Sequence, residues 1–215
     1  IVMSKKTVVL KRTLLPNVTS DLKRKMVFIS GPRQVGKTTL AKTLLGSTYP
    51  GRYLNWDSDD DRRRILKNDL PSGEGLIVLD EIHKYRQWRR LIKGLFDKRK
   101  EELQILVTGS ARLDHYRFGG DSLQGRYYFH RMHPLTLSEL STKTEAGLAN
   151  LLSFSGFPEP HLLQSPTETR RFSLAYRSRL VREDLRDLER VTEIGLIERL
   201  SIRLPELVGS PLSIN

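Results

Sequence analysis

The chain has 215 residues, 38% of them hydrophobic, with 37 Lys and Arg against 25 Asp and Glu and a net charge of +12. This length suits one large domain, or one domain with a smaller second lobe, and the lean apolar content still provides a core. The absence of cysteine excludes disulfides and thiolate metal centres, and no apolar run reaches the length of a membrane span.

The chain opens Ile1-Val2-Met3, which points to a fragment of a longer protein. Lys5, Lys6, Lys11 and Arg12 interrupt the first apolar residues, so no signal peptide is expected and the cytoplasm is the expected compartment. Met26-Val27-Phe28-Ile29-Ser30 reads as an apolar strand, followed by a glycine-containing loop and a helix over 37–45. A short strand over 53–56 ends in the acidic cluster 57–61, and a helix over 62–70 stops at Pro71. Residues 76–79 are wholly apolar between Gly75 and Asp80, as expected of a buried central strand. Trp88, Leu91, Ile92, Leu95 and Phe96 recur at helical spacing and predict an amphipathic helix. Strands follow over 103–107, ending in Thr108-Gly109-Ser110, and over 126–130. Alternating strands and helices predict a parallel sheet with crossover helices. Beyond residue 134 the pattern turns helical, over 137–140, 145–154, 167–191 and 193–204, with a turn at 156–160.

The loop between the first strand and its helix is Gly31-Pro32-Arg33-Gln34-Val35-Gly36-Lys37-Thr38, which fits G-x-x-x-x-G-K-[ST]. A strand feeding a tight loop into a helix N-terminus aims several backbone amides at one point, where the helix dipole also favours an anion. Gly31 and Gly36 permit close backbone approach, Lys37 has the reach for the β- and γ-phosphates, and the Thr38 hydroxyl suits Mg²⁺. Gly31 to Thr38, with the following Thr39, are therefore the expected nucleotide-binding residues. The strand 76–79 ends in Asp80-Glu81. Asp80 is the expected second metal residue beside Thr38, and Glu81 the group that polarises an attacking water. At the end of the next strand Ser110 is the first choice for a residue sensing the γ-phosphate, and Thr108 the second. A plain acidic helix cap is the competing structural explanation for Asp80-Glu81, and a plain polar strand terminus the one for Ser110.

Taken together, the loop, Leu79-Asp80-Glu81-Ile82-His83-Lys84 with Trp88, Thr108-Gly109-Ser110, Gly125-Arg126, His133-Pro134-Leu135 and Ser155-Gly156-Phe157-Pro158-Glu159 resemble a known group. This group is the archaeal and bacterial AAA-like P-loop ATPases of the additional-strand catalytic-glutamate class. The resemblance implies an α/β fold with a parallel sheet in 5-1-4-3-2 order and a small helical lid. It divides the chain into an ATPase core at 1–135, a lid at 136–207, and the start of a further domain at 208–215. In that family a winged-helix segment and a nuclease-like domain follow. Arg126 is the first candidate for an arginine finger and Arg182 the weaker one, each with an ordinary ion pair as its alternative role. Arg12, with Leu14 and Leu15, is expected near the adenine base.

The reading is thus an Mg²⁺-dependent ATPase whose hydrolysis moves an attached module. Its expected partners are ATP, nucleic acid on account of the basic charge, and a partner protein or further copies of itself; a membrane is not expected. The basic runs Arg62-Arg63-Arg64 and Lys98-Arg99-Lys100 read as solvated helix faces, so nucleic acid rests on net charge alone. Three alternatives are a non-hydrolysing nucleotide switch, a nucleoside-type kinase with Asp57 at its acceptor site, and a helicase suggested by Asp80-Glu81-Ile82-His83. The last needs two lobes, which 215 residues cannot hold.

Overall fold

The computed structural model describes residues 10–70, 73–110, 113, 123–140, 143–185 and 193–209. Five strands, β1 (Met26–Ser30), β2 (Gly51–Asn55), β3 (Gly75–Asp80), β4 (Leu103–Thr108) and β5 (Tyr127–Arg131), form one sheet in the order β2-β3-β4-β1-β5. Every pairing is parallel, and read from the other edge the order is 5-1-4-3-2, as the resemblance implied. The register sets Asp80 opposite Asn55 on β2 and Thr108 on β4, and Thr108 opposite Ile29 on β1. The carboxyl ends of the three central strands therefore finish together, where the loops that follow them meet.

The central strands are apolar on both faces because helices cover both. Ile77, Leu79, Ile105 and Val107 point to one face, packed with Trp88, Ile92 and Leu95 of α4 (Trp88–Arg99). Leu76, Val78 and Leu106 point to the other, with Leu40, Ala41 and Leu44 of α2 (Lys37–Ser47) and Val18 and Leu22 of α1 (Leu15–Leu22). The two-residue alternation along β3 thus fills two cores at once. Helix α1 has no counterpart among the expected elements. Its signals are Pro16 in the first turn and apolar residues at 15, 18 and 22.

Helix α3 (Asp59–Leu66) begins and ends earlier than the expected 62–70. The Ser58 hydroxyl accepts from the Asp61 amide, and Asp59, Asp60 and Asp61 fill the first turn, where the helix dipole favours carboxylates. The acidic cluster belongs to the helix start and not to the strand before it.

Beyond the sheet lies a helical lid. It has a one-turn segment at Leu137–Glu139, then α5 (Glu145–Phe154), α6 (Pro158–Leu163), α7 (Pro166–Arg179) and α8 (Ile194–Arg203), with a last 3-10 turn at Leu204–Leu207. Thr144 and Ser165 cap α5 and α7 by accepting from the Gly147 and Glu168 amides. The long helix expected over 167–191 instead ends at Arg179 and continues as a π-helical segment, Leu180–Leu185. Its remainder and residues 210–215 lie outside the described residues. Phe157 at the start of α6 packs between Phe172 and Tyr176, with ring centroids 5.4 and 4.8 Å away. Among the described residues no helix is long and apolar enough to cross a membrane.

Candidate functional site

The loop between β1 and α2 has a backbone that few residue types allow. Gly31 has φ +144°, and a Cβ there would lie 2.2 Å from the Met132 carbonyl oxygen at the exit of β5. Gly36, at φ +103°, is the left-handed N-cap of α2 and offers no side chain to its amides. The amides of a helix's first turn have no partner within the helix, which suits this end of α2 to an anion. Gln34, at φ 61°, completes the turn.

The buried Lys37 ammonium donates to the Gly31 carbonyl at 2.9 Å and the Pro32 carbonyl at 2.7 Å, so it lies inside the curl of the loop. Next to it the Thr38 hydroxyl donates to Asp80 Oδ2 at 3.1 Å, across 42 positions of sequence. Asp80 is itself buried, and the Thr108 hydroxyl donates to its Oδ1 at 2.6 Å. The Tyr53 hydroxyl on β2 donates to Oδ2. Burial, and then the Asp80 carboxylate that accepts its proton, push the Tyr53 phenol well above its ordinary range.

Glu81 follows in the left-handed region at φ 57° and opens the 3-10 turn Ile82–Lys84. Its amide donates to the Thr108 carbonyl at 2.8 Å, which ties β3 to β4 at the edge of the site. Its carboxylate lies 3.6 Å from Lys84 Nζ and 3.6 Å from His83 Nε2, while Lys84 pairs more closely with Asp57 at 2.6 Å. Burial raises the Glu81 carboxyl above its ordinary value. Lys84 and Lys37 oppose that rise, and Asp80 and Asp57 reinforce it. His83 is buried against Gly109, where a Cβ would lie 2.7 Å from the imidazole. That contact gives the Thr108-Gly109-Ser110 step its need for glycine.

A cleft of about 750 Å³ opens over these groups, lined by Gly36, Lys37, Thr38, Thr39, Asp80 and Glu81. Arg33 and Gln34 also face it. Its apolar wall comes from Leu10, Leu15 and Met132 and, from the lid, Pro158 and Leu162. The lid approaches because Gly156 has no Cβ: one there would lie 2.6 Å from the Leu135 carbonyl, and the Gly156 carbonyl accepts from the Leu135 amide at 2.6 Å.

Of the expected residues, the structure gathers the loop, Thr38, Asp80 and Glu81 at one place. Val35 contributes a buried side chain and Pro32 its carbonyl. Ser110 is buried just beyond β4 and does not line the cleft, whereas Thr108, the second choice, holds Asp80. The register explains the Thr108 contact, since Thr108 is the residue directly opposite Asp80. Arg126 is not brought to the site. It precedes β5 at the amino-terminal edge of a parallel sheet, the edge away from the loop, and pairs with Asp97 at 2.8 Å. Arg182 pairs with Glu198 at 2.7 Å on the exposed lid.

Arg12 lines the cleft with Leu15, but its guanidinium is engaged elsewhere. It donates to the Val35 carbonyl at 3.0 Å, to the His133 carbonyl, and to Glu139 Oε1 at 3.1 Å. Leu14 packs toward the core. Arg12 therefore links the loop, the exit of β5 and the first turn of the lid. Neither the Tyr53 contact with Asp80 nor this role of Arg12 has a local sequence signal. Only strand register and tertiary placement reveal them.

A five-stranded parallel sheet in this order, with a glycine loop opening α2 and an acidic residue ending β3 beside it, defines a P-loop nucleotide-hydrolase fold. The chain belongs to the AAA domain family, which matches residues 23–141. It is thus an ATP-binding, ATP-hydrolysing domain of that family. An uncharacterized protein of Mycobacterium tuberculosis and one of Mycobacterium bovis are each 30% identical to it over 119 residues, 54% of this chain. The matched stretch spans 27% of the length of those relatives. Among solved structures, a RuvB variant of Thermotoga maritima is similar, with TM-score 0.48 and 15% identity over 89% of this chain and 69% of that one. A signal transduction ATPase with numerous domains and a tetratricopeptide repeat sensor, from Pyrococcus horikoshii, aligns with TM-score 0.44 and 13% identity over 71% of this chain and 29% of its own.

Proposed function

We propose that the domain hydrolyses ATP with Mg²⁺ in the cleft above α2, and that the cycle moves the lid and a module attached to it. The observation that carries this is the set of hydrogen bonds joining Thr38, Asp80 and Thr108 beside Lys37 and Glu81. Surface clusters of polar residues do not need a buried carboxylate held by two threonines from different elements.

The residues have distinct tasks in this reading. The loop amides and Lys37 hold the phosphates, and Lys37 exchanges the loop carbonyls for phosphate oxygens. Thr38 and Asp80 would hold Mg²⁺. Their hard oxygens suit that ion, and the Thr38 proton is already directed at Asp80, leaving its lone pairs for a metal. Among the described residues no group of three or more His, Cys, Asp or Glu forms a complete cation cage. Two protein oxygens completed by water and phosphate are how this ion is ordinarily held. When bound, Mg²⁺ neutralises charge that develops on the phosphates. Glu81, whose raised carboxyl suits proton transfer, orients and deprotonates the attacking water.

The unit boundaries 1–135, 136–207 and 208–215 belong to the same proposal, as do a winged-helix and nuclease-like continuation, a DNA-related or protein partner, further copies of the chain, and a cytoplasmic location. The acceptor role considered for Asp57 is disfavoured, because Lys84 holds both of its oxygens, at 2.8 and 2.6 Å.

The test is phosphate release and ATP binding measured side by side. Lys37→Ala is expected to lose both. Glu81→Gln is expected to keep binding and lose turnover by about 10²–10⁴-fold, the range for a general base. Turnover intact in Glu81→Gln would overturn the assignment. Adding DNA across a salt series tests the partner, with stimulation that fades as salt rises expected for a phosphate-backbone contact.

A further inference from the structure

The carboxylate of Asp80 is gripped from both sides. Thr108 on β4 donates to Oδ1 at 2.6 Å, Thr38 donates to Oδ2 at 3.1 Å, and Tyr53 on β2 donates to the same Oδ2. A carboxylate offers about four lone-pair positions, and three hydroxyls from three elements occupy this one. Tyr53 stands two residues before the end of β2, opposite Val78, so its ring must run along the sheet for the hydroxyl to reach Asp80.

Two further contacts fix that ring. Lys42 of α2 lies 5.0 Å from its centroid, and the ring packs against the core beneath α2. A tyrosine serving only as core filler would send its hydroxyl to water at the sheet edge. This one brings it to Asp80, one of the two residues that the proposed function assigns to the metal.

We propose that Tyr53 is a positioning residue for the magnesium site, holding Oδ2 of Asp80 toward the Thr38 hydroxyl. With Thr108 on Oδ1 and Tyr53 on Oδ2, rotation of the carboxylate about its Cβ–Cγ bond breaks two hydrogen bonds. The carboxylate is set before any ligand arrives, and none of the binding free energy is spent on orienting it. Loss of a partner that orients a metal-ligating group ordinarily lowers metal affinity by about 10–100-fold. The phenol acts only through Asp80 and needs no contact with the nucleotide.

The inference rests on the proposed Mg²⁺ role of Thr38 and Asp80, and one experiment separates the two. A fluorescent ATP analogue is titrated into wild type and Tyr53→Phe, first in EDTA and then at fixed nucleotide with rising Mg²⁺. Phenylalanine keeps the ring, its packing and the Lys42 contact, and removes only the hydroxyl. The expected result is unchanged binding in EDTA, with the Mg²⁺ midpoint raised about 10–100-fold in Tyr53→Phe. Thr108→Val is expected to move the midpoint in the same direction. An unchanged or lowered midpoint in Tyr53→Phe overturns the inference and leaves the proposed function standing. Equal weakening in EDTA and in Mg²⁺ overturns it too, because the ring would then support the fold and not the metal. A wild type whose binding ignores Mg²⁺ overturns the proposed function, and the inference falls with it.

Discussion

Truncating Arg12 to alanine removes one group from three structural elements at once. The side chains of Arg12 and Glu139 are 9% and 4% exposed, so their ion pair at 3.1 Å is a buried one. Removing one partner of a buried pair ordinarily costs about 3–5 kcal/mol. Glu139 does not lose every partner, because the Thr13 amide, the Thr13 hydroxyl and the Thr136 amide still donate to it at 2.9, 3.0 and 3.2 Å. Against that, the buried Val35 carbonyl loses a charged donor, at about 1–3 kcal/mol once unsatisfied, while the His133 carbonyl, on an exposed residue, can turn to water. These corrections run in opposite directions, so the expected loss stays at about 3–5 kcal/mol. For a domain of this size that lowers Tm by about 6–20 °C. Urea unfolding followed by fluorescence of Trp56 and Trp88 measures it directly. A loss below about 1 kcal/mol, the ordinary worth of an exposed pair, would mean that Arg12 does not tie these elements together. Burial alone would raise the Glu139 carboxyl, but the Thr13 and Thr136 amides and Arg12 overcome it and hold the group below its ordinary 4.5. Its contribution is therefore present above pH 4.5 and lost as pH falls through the lower folded value. Arg12→Ala is expected to flatten that acid slope.

Other expectations follow from single contacts. The Glu81 carboxyl is raised, so the acid limb of kcat should lie above the ordinary 4.5 of a glutamate. Lys84→Ala removes the positive charge that opposes the rise, and a pH–rate profile should show the limb move further up; a downward move would contradict the geometry. Gly31→Ala sets a methyl 2.2 Å from the Met132 carbonyl at a φ that alanine resists. It should cost about 2–4 kcal/mol of stability and lower ATP affinity at least tenfold, checked by thermal melting and nucleotide titration. Gly156→Ala, 2.6 Å from the Leu135 carbonyl, should shift the lid and weaken nucleotide binding while the sheet core keeps its hydrogen-exchange protection.

Most of the sheet was legible because its signals are local. Apolar runs such as 76–79 belong to strands buried on both faces, and the loop before Lys37 carries its chemistry in consecutive residues. Thr38 and Asp80 could be paired from sequence because each stands at a recognisable boundary, one opening a helix and one ending a strand. The parts that sequence did not disclose depend on register and tertiary placement. Thr108 holds Asp80, a contact separate from the γ-phosphate role expected first of Ser110, because it is the residue directly opposite. Tyr53 reaches Asp80 from two residues back on a neighbouring strand, and nothing local marks it out from a core aromatic. Arg126 looked suitable beside Gly125, but position along a parallel strand decides which edge a residue joins, and it joins the far one. Helix α1 was obscured by a charged neighbourhood, with Lys11 and Arg12 before it and Lys23, Arg24 and Lys25 after it.

Thr38 and Asp80 are proposed to act as one unit on the metal–nucleotide pair. A double-mutant cycle tests it most directly, with Mg²⁺-dependent ATP affinity measured in wild type, Thr38→Val, Asp80→Asn and the double variant. Strong non-additivity is expected, the double variant binding no worse than the weaker single one, because either change already dismantles the shared site. Losses that simply add would show two independent residues and no shared metal site.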